Sequence, residues 1–269
     1  MSGCRCHGII FYVNGYSLLI GIGAALGLLQ VIRRVPEHLA LRWTIAGLAM
    51  LFAGMLGARA AYVWLNPAYY SLHPQAVWRL VEGGLAWPGA LAGVLAVFFL
   101  TAIFLRAPLG VAADVFAPMI VTVAVTAWLG SASSGTAYGA AIHPALPWAI
   151  PSTEPEGVLT YRWPLQLTAA LTLFLIFWSF ERRSAEWRLP DVRAGAAGLL
   201  LAGHTALFSY WRADGGLTFN GLRVDYAAAG LLGALCLLGL LARGLMRMRA
   251  SFSDEAPGAN RETWFSPRE

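Results

Sequence analysis

The sequence predicts an all-α, polytopic membrane protein of about seven transmembrane helices, N-terminus outside and C-terminus cytoplasmic. Three observations predict it. Apolar residues make up 58% of the 269 positions, charged residues only 12%, and mean hydropathy is +0.61. Soluble domains carry about 25% charged residues, because a surface facing water needs them and one facing lipid must avoid them. Several apolar stretches reach the roughly 20 residues that cross a bilayer as a helix. The basic residues, all 19 of them Arg, are placed unevenly between those stretches.

Each span is set by its apolar run and the polar group that ends it. The first covers 13–32 and stops at Arg33-Arg34-Val35-Pro36; the second covers 43–65 and stops before Asn66-Pro67. The third covers 87–105, ending at Arg106-Ala107-Pro108, and the fourth covers 113–131, ending in a Ser/Gly-rich stretch. The fifth (163–180) ends at Glu181-Arg182-Arg183, the sixth (194–211) at Trp211-Arg212, and the seventh (225–242) runs into a basic tail. Lipid-exposed open sheet cannot satisfy its backbone, so the spans are helices, and they are too uniformly apolar for barrel strands. The chain therefore divides into a short outer segment (1–12), one membrane domain (13–245) and a cytoplasmic tail (246–269) whose polar end is expected to be disordered.

Orientation follows from the arginines. With the N-terminus outside, eleven fall on the cytoplasmic side: Arg33, Arg34, Arg42, Arg106, Arg182, Arg183, Arg188, Arg193, Arg243, Arg247 and Arg249. Five fall outside: Arg5, Arg79, Arg162, Arg212 and Arg223. The net charge of +5 thus reads as topogenic and headgroup-directed, with no nucleic-acid partner. Two long outer loops, 66–86 and 132–162, hold Tyr69, Tyr70, Trp78, Tyr138, Trp148 and Tyr161, as suits a membrane interface. The inner loops are short and basic, which puts chemistry on the outer side.

Several function classes drop out. Cys4-Arg5-Cys6-His7 lacks the second ligand pair that structural zinc requires, so no metal or cofactor is expected. Cys236 lies in an apolar span and reads as packing. No cleavable signal peptide or lipobox is read at the N-terminus. Walker, HExxH, dinucleotide and nucleophile-elbow motifs are absent from the sequence, as are the internal repeats of an inverted-repeat transporter.

Arg59, near the outer end of the second span, is the most informative residue. A charge inside a span faces a cavity or a partner, or snorkels to the interface. Glu82-Gly83-Gly84 reads first as a loop-to-helix turn, and second as backbone offered to an anion. Gly130 to Gly139, with Ser131, Gly135 and Tyr138, lets chains pack closely or line a cavity. His204 lies inside the sixth span, where a lone His is often merely hydrogen-bonded. Arg212 and Asp214 form a local pair by default.

The order of these pieces resembles the prolipoprotein diacylglyceryl transferase family over about residues 11–242. Asn14-Gly15-Tyr16-Ser17-Leu18 resembles the family's Ser-Tyr-Gly-Leu, and Gly57-Ala58-Arg59-Ala60-Ala61-Tyr62 its Gly-Gly-Arg-Leu-x-Tyr. The segment Tyr70 to Gly84 resembles the approach to Trp-Glu-Gly-Gly, with Val81 in place of the Trp. Asp114-Val115-Phe116-Ala117-Pro118 is similar to Asp-x-x-Ala-Pro, and Gly130 to Gly139 resembles the signature Gly-x-x-x-x-Gly-x-x-Tyr-Gly. Pro147-Trp148-Ala149-Ile150 and Pro164-Leu165-Gln166-Leu167 resemble Pro-Trp-x-Val and Pro-x-Gln-Leu.

The resemblance implies a multi-pass protein of the bacterial inner membrane that moves a diacylglyceryl group from phosphatidylglycerol to the cysteine thiol of a prolipoprotein signal peptide. It implies lipid or substrate binding by Tyr16, Arg59, Glu82, Gly83, Gly84, Ser131, Gly135, Tyr138, Gly139 and Gln166, with His204 and Arg212 as catalytic candidates. The sequence departs from the family at several polar positions. The family His falls on Pro88 and the signature Arg on Trp128; Thr136, Trp163, Thr205 and Ser209 also stand where other polar or charged groups are expected. Two readings follow. In an active transferase, Arg59 and His204 or Arg212 converge on one outer cavity. In an inactive or repurposed relative that holds phosphatidylglycerol, another anionic phospholipid or a lipidated partner, Trp87, Trp128 and Trp163 build an aromatic pocket.

Overall fold

The computed structural model describes residues 15–80, 83–153, 159–187 and 189–254. Glu82, Arg188, the outer segment 1–12 and residues 255–269 lie outside that set, as do the sequence expectations that fall on them. A helix occupies each of the seven apolar ranges: α1 (Gly15–Arg34), α2 (Glu37–Leu65), α4 (Trp87–Phe104), α5 (Leu109–Ser133), α6 (Leu165–Ser184), α7 (Pro190–Tyr210) and α8 (Val224–Asp254). The short α3 (Pro67–Leu72) and a 3-10 turn (Pro74–Trp78) fold the first long outer loop. Five helices, α1, α2, α4, α5 and α8, are long and apolar enough to cross a membrane. The remaining two have span length but carry Glu181, Arg182 and Arg183, or Asp191, Arg193 and His204.

The helix ends differ from the sequence reading where polar residues continue a helix past its apolar run. The second begins at Glu37 instead of 43, so Arg42 is helical. The last continues to Asp254, beyond 242 and into the stretch expected to be tail. Two small antiparallel hairpins add to the all-helical expectation: β1 (Ile150–Thr153) with β2 (Leu159–Arg162), and β3 (Thr218–Phe219) with β4 (Leu222–Arg223). Asn220-Gly221, both at positive φ (50° and 79°), make the tight turn of the second.

Small residues let the helices approach closely. A Cβ on Gly57 would lie 2.3 Å from the Gly89 carbonyl oxygen, and one on Gly93 2.2 Å from that of Ala53, so α2 and α4 touch backbone to backbone. Gly23 and Gly27 admit Thr126 and Met119 of α5 against α1 in the same way. One core, with Val31, Trp43, Met50, Phe116 and Met119 at its centre, fills α1, α2, α4 and α5. A second, around Val121, Leu173, Phe177 and Ala197, joins α5 to α6 and α7, and α8 packs along α7. Outward faces remain apolar, with Leu41, Phe52, Ile103, Leu171 and Leu238 all exposed, as a lipid-facing surface requires.

At the Arg-rich end a network of charges ties the bundle. Arg34 of α1 pairs with Glu181 of α6, Arg193 of α7 pairs with Glu181 at 2.7 Å and Asp114 of α5 at 3.5 Å, and Arg243 pairs with Asp191. Pro118 takes part indirectly. Lacking an N–H, it leaves the Asp114 carbonyl one turn earlier without its helical donor, and Arg34 Nη1 donates to that oxygen at 2.8 Å.

Candidate functional site

Arg59 is 6% exposed and donates all five of its N–H groups to backbone carbonyls. Nε bonds Val77, Nη1 bonds Gly83 and Gly84, and Nη2 bonds Ala76 and Arg79, at 2.5 to 3.2 Å. A planar, weakly hydrated guanidinium suits this role better than an ammonium. The side chain neither snorkels nor meets a single partner; it organises the outer loop. Gly83 and Gly84 stand at φ of 84° and 73°, which turns both carbonyls inward. Carbonyl oxygens, not N–H groups, therefore converge there. A Cβ on Gly84 would lie 2.8 Å from Arg59 Nη1 and from Tyr62. Arg59, Tyr62, Asn66, Tyr69 and Tyr70 line a cavity of about 320 Å³ beside this loop.

The stretch 130–139 ends α5 and crosses to the other outer elements. Gly135, at φ 67°, stops the helix, with Thr136 N–H bonded back to the Ser131 carbonyl at 3.0 Å. Gln166 Nε2 donates to the Thr136 carbonyl at 2.9 Å. Tyr16 lies against Gly130, where a Cβ would sit 2.8 Å from its ring. The Gly139 backbone bridges to Arg212, Arg162 Nη1 donates to its carbonyl at 3.2 Å, and the Arg162 guanidinium lies 4.0 Å over the Tyr138 ring.

Arg212 follows α7 and sits with three other charges, Asp214, Asp225 and Arg223. Asp214 takes it through two bonds, Nε at 2.8 Å and Nη2 at 2.6 Å, and Asp225 takes Nη1 at 2.8 Å. Arg223 adds contacts to Asp214 at 3.4 Å and Asp225 at 3.6 Å. Asp225, only 6% exposed, accepts the Trp87 indole N–H on its other oxygen at 2.7 Å. Burial alone would raise the Asp214 carboxyl, but Arg212 and Arg223 hold it below the usual carboxylate range. Two arginines and two aspartates cancel, so the cluster is fixed in place and muted in charge. Three of the five Arg212 N–H groups meet carboxylates, and these contacts do not use the other two.

Two sequence expectations are corrected, the shared cavity and the tryptophan pocket. Neither Arg212 nor His204 lines the Arg59 cavity, so the single convergent site does not form. His204, 6% exposed, is walled in: its Nε2 meets Thr172 Oγ1 at 3.0 Å and its ring stacks on Phe208 at 4.4 Å. The three tryptophans do not form one pocket. Trp128 and Trp163 pack on the Leu165, Ala169 and Phe208 cluster, whereas Trp87 serves Asp225. Arg162 and Arg223 carried only topological weight in the sequence, and Asp225 carried none. Their signal was their position beside Tyr161, Gly221 and the start of the last apolar run.

A helical bundle with apolar outer faces, held by a charge network at one end and by fixed polar clusters at the other, defines a multi-pass integral membrane protein. Residues 7–244 match the family described as prolipoprotein diacylglyceryl transferase, and the chain belongs to that family. It is similar to the phosphatidylglycerol–prolipoprotein diacylglyceryl transferase of Cupriavidus necator, at 30% identity over 212 residues, covering 75% of this chain and 72% of that one. The protein of the same name from Cupriavidus metallidurans is 29% identical over 213 residues (75% and 73% covered). That from Methylibium petroleiphilum is 30% identical over 167 residues (59% and 61% covered).

Proposed function

We propose that the chain transfers a diacylglyceryl group from phosphatidylglycerol to the cysteine thiol of a prolipoprotein signal peptide. The relatives' names support this over a purely lipid-holding role. In the reaction the thiol sulfur forms a bond to the glyceryl carbon, and that carbon's bond to phosphate oxygen breaks. Glycerol phosphate leaves with the electron pair, and the thiol proton goes to solvent or a base. Negative charge grows on the phosphate, so fixed cations are what the reaction needs.

Arg212 is the observation that carries the reading. It is locked by Asp214 and Asp225, bridged through its backbone to Gly139 of the signature stretch, and keeps N–H groups for a phosphate oxygen. We assign it the headgroup contact, with Arg223 beside it. Arg59, Gly83 and Gly84 position the outer loop and its tyrosine-lined cavity, while Tyr16, Ser131, Gly135, Tyr138, Gly139 and Gln166 shape the signature stretch. Glu82 completes the motif by resemblance. His204 is assigned a packing role.

The membrane arrangement belongs to the same proposal: seven spans over 13–245 in the bacterial inner membrane, N-terminus outside and C-terminus cytoplasmic. Support comes from the eleven-to-five Arg bias and from the ion pairs that gather the ends of α1, α6, α7 and α8 on one side. The test is a reconstituted assay. The full chain in nanodiscs receives labelled phosphatidylglycerol and a cysteine-bearing signal peptide, and peptide mass is read. The expected result is lipidation that Arg212→Ala lowers by at least about 100-fold, the scale for losing a transition-state phosphate contact. Lipidation unaffected by Arg212→Ala overturns the assignment, and none by the folded wild type overturns the reading.

A further inference from the structure

Asp225 has no counterpart among the motif residues, yet it is the most buried charge of the outer cluster. Its two oxygens face different elements: Oδ1 takes Trp87 Nε1 of α4 at 2.7 Å, and Oδ2 takes Arg212 Nη1, from the segment after α7, at 2.8 Å with Arg223 Nη2 of β4 at 3.6 Å. Trp87 therefore fixes which oxygen the arginines see. Asp214, by contrast, is bound in a side-on pair through both of its oxygens and sits two residues from Arg212, so it travels with that residue. Asp225 arrives from another element, the start of α8, and is the carboxylate whose orientation a third helix controls.

Resting on the assignment of Arg212 to the headgroup, we propose that Asp225, oriented by Trp87, is a specificity-determining positioning residue: it sets how strongly Arg212 and Arg223 hold an anionic lipid headgroup. The Asp225 charge lies on the same guanidinium that a phosphate oxygen would approach. It weakens the pull on any anion, the incoming donor and the departing glycerol phosphate alike. A cluster of two arginines facing Asp214 alone would carry a net positive charge and retain both.

The probe is short-chain phosphatidylglycerol, with the matching diacylglycerol, which lacks the phosphate, as the control, titrated into the purified full chain in detergent micelles. Asp225→Asn keeps an oxygen for the Trp87 N–H and removes the charge. The dissociation constant for phosphatidylglycerol is expected to fall at least about fivefold, the upper end for an exposed ion pair and so a lower bound for this buried one, with diacylglycerol unmoved. Asp225→Glu is expected to restore the wild-type value, which a merely structural role would not produce. Trp87→Phe, which keeps an aromatic ring but removes the N–H donor and part of the indole, is expected to tighten binding in the same direction by a smaller factor, and it decides the matter if Asp225→Asn does not fold.

Equal or weaker phosphatidylglycerol binding in folded Asp225→Asn and Trp87→Phe overturns this inference, and leaves the transferase reading standing if the wild type lipidates peptide. Tighter binding in the variants with no lipidation by the wild type rejects the transferase reading and keeps the inference. Absence of saturable phosphatidylglycerol binding in the wild type overturns both.

Discussion

The indole N–H of Trp87, at the start of α4, lies 2.7 Å from Oδ1 of Asp225, at the start of α8, 138 positions away in the chain. This bond joins two halves of the outer face. On one side, the loop that leads into Trp87 hangs from Arg59 by five carbonyls. On the other, Asp225 holds Arg212, whose backbone meets the signature stretch at Gly139. The two cationic side chains most prominent in the sequence thus sit in different settings, one building a loop from carbonyls and the other, to which we assign the headgroup contact, held by carboxylates.

Arg59→Ala is expected to destabilise the protein by about 3 kcal/mol or more, because several buried carbonyls lose their donors at about 1–3 kcal/mol each. Arg59→Lys, with three donors on one nitrogen, should recover only part of that. Thermal unfolding in detergent reads the stability, and amide exchange over residues 76–84 reads the loop. Loss of lipid transfer with an unchanged loop would show that Arg59 touches the substrate directly.

Gly84→Ala is expected to cost more than Gly83→Ala. Both positions have positive φ, worth roughly 1–2 kcal/mol against an L side chain. Only at Gly84 does the added Cβ also meet Arg59 Nη1 and Tyr62, at 2.8 Å, whereas Gly83 has open space. Melting temperatures of the two single variants settle the order.

The carboxyl of Asp214 is held low by Arg212 and Arg223, so its contribution to stability follows a definite sign. It is fully present above the ordinary carboxylate pKa of 3.8 and is lost as pH falls through the lower folded value. Melting temperature should therefore decline more below about pH 4 in the wild type than in Asp214→Asn. Parallel curves would remove Asp214 from the pairing.

His204→Leu is expected to leave lipid transfer within about twofold and to shift stability by less than about 1.5 kcal/mol, as for other near-isosteric changes in a packed core. The ring meets Thr172 and Phe208 and does not line the Arg59 cavity. A fall of a hundredfold in transfer with a normal melt would return His204 to the chemistry.

The bundle was readable because each apolar run has to be a helix, and a helix occupies all seven ranges. The Arg212–Asp214 pair was readable because its partners are only two positions apart in the chain. The partners of Arg59 were not. A carbonyl has no residue letter, so five of them closing on one guanidinium leave no trace beyond Gly83-Gly84. Nor was the Trp87–Asp225 bond, since nothing local in either segment specifies a contact over such a separation. The gathering of Trp128 and Trp163 without Trp87 shows the same limit: aromatic identity was visible, and the helix face was not.

Complementation tests the central claim most directly. A bacterial host depleted of its own diacylglyceryl transferase would express this chain, and lipid attachment to a reporter lipoprotein would be measured by mass and membrane partition. The account predicts lipidation that is lost in Arg212→Ala. A folded, membrane-inserted wild-type chain that leaves the reporter unlipidated would contradict it.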